Sequence, residues 1–176
     1  MSKPKRRAGR KSRRVSVTSL LIVGEGVHDR AFLNHMKGLY DDRHNGQTIK
    51  VESSDGGSPG SIIRAACKQK EAAYDRRFIL MDDDVEITEK DWAYARKRGI
   101  EIIISKPVCL EGMLLSVLGQ RAGDDGSQCK SALRPYLGGS PTNKASYERS
   151  FPKPVLDETD KEEIVKLRAL MSNSTQ

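Results

Sequence analysis

At 176 residues, 36% of them hydrophobic, the chain has the size of one domain with appendages and material for a modest core. No apolar run approaches the ~20 residues that span a bilayer, and no apolar stretch of the secretory kind opens the sequence. The net charge of +7 is lopsided: residues 1–14 hold eight Lys and Arg and no acid, and subtracting those eight leaves −1 for the remainder.

Three cysteines, Cys67, Cys109 and Cys129, are widely separated, odd in number and in no zinc-like spacing. A reducing, cytoplasmic setting is expected, with the cysteines as small buried residues and no membrane partner. Residues 1–14, carrying Arg6, Arg7, Arg10, Lys11, Arg13 and Arg14, read as a disordered basic arm. Such an arm gathers phosphates by counterion release without reading sequence; a solubility tail is the bland alternative.

The first predicted strand covers residues 15–23 and ends in Leu20-Leu21-Ile22-Val23. Gly24-Glu25-Gly26 then forms a tight turn, its glycines bringing the Glu25 carboxylate over the strand end. The helix after it carries Val27, Ala31, Phe32, His35, Met36 and Leu39 at helical spacing. A dinucleotide-binding fingerprint needs glycine at position 29, where this chain has Asp29. Asp29 follows Glu25 by four residues, which puts both acids on one side if the helix begins early.

Residues 48–52 alternate in the manner of a less buried strand near a sheet edge. The loop Asp55-Gly56-Gly57-Ser58-Pro59-Gly60-Ser61 supplies Ser58 as a cap and Pro59 as the first turn of a helix holding Ile62, Ile63, Ala66 and Ala73. It lacks the lysine of a P-loop, so a structural loop is expected. Phe78-Ile79-Leu80-Met81 reads as an interior strand delivering Asp82, Asp83 and Asp84, with Asp82 and Asp84 pointing one way and Asp83 the other. Thr88 and Asp91 announce a helix that turns Trp92 and Ala95 inward and stops near Gly99.

Residues 100–104 are the fourth strand, and Ser105-Lys106-Pro107 leads to an apolar helix through Met113, Leu114, Leu115, Val117 and Leu118, with Glu111 in its first turn. A loop at Asp124-Asp125-Gly126, a short helix over residues 131–137, an irregular stretch over 138–154 and a charged amphipathic helix over 157–171 complete the chain. The expected class is α/β, with a small, mostly parallel four-stranded sheet flanked by helices. The expected divisions are the arm 1–14, a core domain 15–120 and a C-terminal helical extension 121–176.

Acids thus recur after strand one (Glu25), strand three (Asp82, Asp84) and strand four (Glu111). Each has an ordinary reading: Asp is common in turns, and an acid in a first helical turn complements the helix dipole. Their recurrence at strand ends, where open α/β sheets bind ligands, favours convergence on one cation. Several carboxylates at one edge repel unless a cation offsets them, and oxygen-only ligands favour Mg²⁺ or Mn²⁺.

A strand ending in Glu25-Gly26 followed by one ending in Asp82-Asp83-Asp84 resembles the topoisomerase–primase (Toprim) fold, and more narrowly its RloB-like family. The basic leader before Leu20-Leu21-Ile22-Val23-Gly24-Glu25-Gly26, the Gly56-Gly57-Ser58-Pro59 loop and the segment from Ile104 to Glu111 are similar to that family's motifs. Lys106 replaces the family's usual Asn, and Asp29 stands where a second Glu is usual. The resemblance implies a Toprim-like domain and a Mg²⁺-dependent nuclease acting on RNA or DNA, encoded with an ABC-type ATPase in anti-phage defence. It further implies Glu25 in acid/base work or metal binding and Asp82 and Asp84 as metal ligands. Asp29 joins the candidate metal set, Glu111 the catalytic set with Glu25, and Lys106 the nucleic-acid contacts of the arm. Self-association is left open. A non-catalytic Toprim binding subunit and a phosphoryl-receiver domain, which shares acids after strands one and three and a late Lys-Pro pair, are the competing readings.

Overall fold

The computed structural model describes residues 17–68 and 74–174. The basic arm and Ala73 therefore lie outside the described residues, as does Val15. Four strands, β1 (Thr18–Gly24), β2 (Gln47–Ser53), β3 (Arg76–Asp82) and β4 (Ile100–Ser105), form one sheet in the order β2-β1-β3-β4, and all pairs are parallel. The fold is α/β with a four-stranded parallel sheet flanked by helices, the class expected from the alternation of strands and helices. Val17 is exposed and irregular, so the first described strand residue is Thr18.

Between the strands run α1 (Val27–Tyr40), α2 (Pro59–Lys68) and α3 (Glu89–Lys97). Alternate side chains of β1 feed two separate apolar layers. Leu20 and Ile22 join Phe32 and Met36 of α1 on one face, while Leu21 and Val23 join Ile62 and Ile63 of α2 and Ala95 of α3 on the other. Both faces of the sheet are therefore covered, as parallel sheets require. Ser58 Oγ accepts from the Ser61 amide at 3.3 Å and Thr88 Oγ1 from the Asp91 amide at 3.2 Å, so both expected helix starts are capped by side chains.

The chain order places β2 on one side of β1 and β3 on the other. The direction of winding reverses between β1 and β3, and the two connecting helices leave on opposite faces. A crevice opens at such a reversal, outside the carboxyl ends of the strands.

Beyond β4 come α4 (Leu110–Val117), α5 (Gly126–Leu133), short 3₁₀ turns at Arg134–Tyr136 and Lys144–Tyr147, α6 (Lys153–Glu158) and α7 (Glu162–Met171). Several expectations are corrected in this half. The helix expected from residue 131 starts at Gly126, because Asp125 Oδ1 accepts from the Gln128 amide at 2.9 Å and caps it. The stretch 138–154 holds a 3₁₀ turn and the start of α6, and its Tyr147 and Phe151 are buried. The single helix expected over 157–171 is broken at residues 159–161, where the Arg168 guanidinium donates to the carbonyls of Leu156 and Asp157. Trp92 is half-buried beside the Asp82–Asp84 turn instead of anchoring the core. Cys109 and Cys129 are buried, Cys67 is half-buried, and all three are free thiols. Among the described residues no helix is long and apolar enough to cross a membrane.

Candidate functional site

Glu25 follows β1 directly, and its Oε2 accepts from the Asp82 amide at 3.2 Å. Asp82 is the last residue of β3, and its Oδ1 accepts from the Leu110 amide at 3.0 Å, at the start of α4. These two bonds tie the ends of β1, β3 and α4 together across the reversal point of the sheet. Each carboxylate spends one oxygen on a backbone amide and keeps a second.

Asp29 sits in the first turn of α1 as the side-chain half of a capping box: Oδ2 accepts from the Gly26 amide at 2.9 Å. Its Oδ1 is buried without a hydrogen-bond partner. Gly24 is what lets this side chain in. A Cβ at position 24 would stand 2.4 Å from Asp29 Cβ, so only glycine fits. Of the two glycines about Glu25, only Gly24 serves close packing; a Cβ at Gly26 would meet Asp29 Oδ2 at an ordinary 3.6 Å, and its extended φ of −134° is one any residue adopts.

Burial, then the charges of Asp82 and Glu111, push Asp29 up from the ordinary 3.8 to about 8, against the lowering effect of the Gly26 amide. Burial and the charge of Glu25 push Asp82 up to about 7, with Glu111 and Asp84 adding smaller contributions. Burial and the neighbouring Glu111 raise the Cys109 thiol as well, and Tyr147 below the site is raised by burial, Glu111 and Asp29. Each of these acids sits in the field of its neighbours, a repulsion that a counter-charge would relieve.

Glu111 lies buried in the first turn of α4, and His28 Nδ1 donates to its Oε1 at 2.8 Å. Glu25, His28, Asp29, Asp82, Glu111 and Lys130 all border one cavity of about 230 Å³, with Gly56 of the glycine loop at its edge. The structure thus brings together Glu25, Asp29, Asp82 and Glu111, four of the five acids marked in the sequence.

Asp84 is the one left out. It borders a different cavity of about 520 Å³, with Asp83, Trp92 and Lys106, and only Asp82 borders both. Strand alternation does not extend to it, because β3 stops at Asp82 and the Asp83 amide turns to the Val108 carbonyl at 3.0 Å. Lys106 is exposed on the rim of this second cavity. Arg6, Arg7, Arg10, Lys11, Arg13 and Arg14 lie outside the described residues.

Two site residues were not marked in the sequence. His28 begins the series with Ala31, Phe32 and His35, the i, i+3, i+4, i+7 spacing of the sheet-facing side of α1, so a signal for it existed. Lys130 had none, because α5 was expected to begin after it. Among the described residues no three of His, Cys, Asp and Glu stand in a ready-made metal-ligating arrangement. The donors themselves suit a hard cation: the free oxygens of Glu25 and Asp82, with the unpartnered Asp29 Oδ1 behind them, are all carboxylate. Comparison of the chain with models of protein families, with curated proteins and with solved structures gave no match.

Proposed function

We propose that the chain is a Mg²⁺- or Mn²⁺-dependent nuclease of the Toprim, RloB-like type, cutting phosphodiesters of RNA or DNA in concert with an ABC-type ATPase in anti-phage defence. The observation that carries this reading is the meeting of Glu25, Asp29 and Asp82 at the winding reversal of a parallel sheet. When bound, the cation would draw charge from the scissile phosphate and lower the pKa of the attacking water. Glu25 and Asp82 would hold it through the oxygens not given to backbone amides, and Asp29 would balance its charge from below. Glu111 fixes the ring of His28 at the cavity wall, and Lys130 and Lys106 offer cations to the phosphates on either side.

The position of Asp84 gives specific support to a second reading, a Toprim subunit that binds nucleic acid or an ATPase without cutting. One experiment separates the two. Purified protein is incubated with tRNA, other RNA and DNA, with Mg²⁺ or Mn²⁺, alone and with the ATPase encoded beside it. The nuclease reading expects cleavage that Asp82→Ala abolishes. Cleavage unaffected by that substitution rejects it, and binding without cleavage under every condition leaves the second reading in its place.

A further inference from the structure

The carboxylate cavity has a neighbour that the chemistry above leaves unused. A cavity of about 250 Å³ adjoins it, and His28, Glu111 and Lys130 border both. The remaining walls come from α5 and the turn after it. Leu133 and Leu137 are buried and make an apolar floor, while Ser131 and Arg134 stand exposed at the rim.

Size and charge say what such a pair of chambers takes. Each is smaller than the roughly 300–1,000 Å³ that encloses a whole small ligand. Two chambers with a common wall suit a ligand that runs through both and changes character on the way. On one side the lining is carboxylate. On the other, Lys130 and Arg134 fall four residues apart on the same side of the chain, and the single acid, Glu111, already accepts from His28. An apolar floor under a cationic rim matches a flat, weakly polar ring joined to an anion.

We propose that this second cavity receives the base of the nucleotide next to the phosphodiester held at Glu25 and Asp82, with Lys130 at the junction facing the intervening phosphate and Arg134 the one beyond. The strand is then read at one position beside the cut. This deepens the nuclease reading and rests on it for the direction of the strand.

The test measures binding of the full chain to short single strands, one set RNA and one set DNA, in Ca²⁺ so that affinity is read apart from turnover. Each set replaces one base at a time by an abasic residue. Loss of the base at one position is expected to weaken binding about tenfold, the effect of exposing a small apolar contact. The Ser131→Trp variant, which fills the rim from an exposed helix position, is expected to remove that dependence. Equal affinity at every abasic position overturns the proposal, as does a base dependence that survives Ser131→Trp in full. Cleavage of the same intact strands in Mg²⁺ is scored separately. A base-dependent strand that is bound but never cut supports the cavity and counts against the nuclease reading alone.

Discussion

Asp29 carries more of the site than its position in a helix cap implies. Its side chain closes the first turn of α1, sits against the backbone of Gly24 and leaves one oxygen buried and unpartnered. Gly24→Ala would force a methyl group to within 2.4 Å of Asp29 Cβ. We expect a loss of about 1–3 kcal/mol in urea unfolding, the usual cost of overpacking a tight contact. A neutral result would show that α1 can retreat from the strand end.

The raised acids make a signed prediction about pH. Asp29 and Asp82 titrate near 8 and 7 when folded, against 3.8 ordinarily, so the folded state holds protons that the unfolded state releases. Their stabilising contribution is complete below about pH 4 and is lost as pH rises through 7 to 8. In metal-free protein, Asp29→Asn keeps an acceptor for the Gly26 amide and removes the proton. The variant should therefore gain in melting temperature relative to the parent as pH rises from 5 to about 8.5. A difference between the two that is flat with pH would place Asp29 in a far more solvated setting.

Among the elements, α5 shows how a local signal can be missed and still be physical. The run Asp124-Asp125-Gly126 reads as a turn, yet Asp125 caps the helix that positions Lys130. Asp125→Ala should cost about 1 kcal/mol in chemical unfolding, the usual worth of such a cap. A cost near zero would mean that α5 is held by its buried Cys129 and Leu133 alone. The break between α6 and α7 had no comparable sign. No glycine or proline interrupts residues 157–171, and charged residues at helical spacing read as a solvated face. What divides the helix is tertiary: Arg168 takes the carbonyls at the end of α6, and Asp157 accepts from the Tyr40 hydroxyl of α1 at 2.8 Å. Strands β1 and β3 were readable because buried parallel strands are written as unbroken apolar runs, and α2 and α3 because Ser58 and Thr88 precede them.

For the molecule as a whole, alternation of strands and helices was enough to foresee a parallel sheet covered on both faces. It did not give the order of the strands, which depends on which edges meet. That order puts the ends of β1 and β3 side by side, and hence Glu25 against the Asp82 amide. Glu25 and Asp82 were visible for the same reason, since acids that end neighbouring strands meet at one edge. Asp84 borders the neighbouring cavity because β3 ends at Asp82, so the alternation of a strand does not carry on to it. The pairing of His28 with Glu111 spans 83 positions and had to be seen in three dimensions. Residues beyond 120 also proved integral to packing: Tyr147, Phe151, Ile164 and Leu167 share the apolar layer of Leu20 and Ile22.

The central claim is that these carboxylates hold one divalent cation, and a Mn²⁺ titration followed by electron paramagnetic resonance tests it most directly. The account expects one saturable ion whose binding releases protons near pH 7, because Asp82 is raised to about 7 and Asp29 to about 8 in the metal-free protein. Asp82→Ala and Glu25→Gln should each weaken that ion at least tenfold, while Asp84→Ala, on a different cavity, should leave it bound. Absence of a bound ion, or an ion held equally well by the Asp82→Ala variant, would contradict the account.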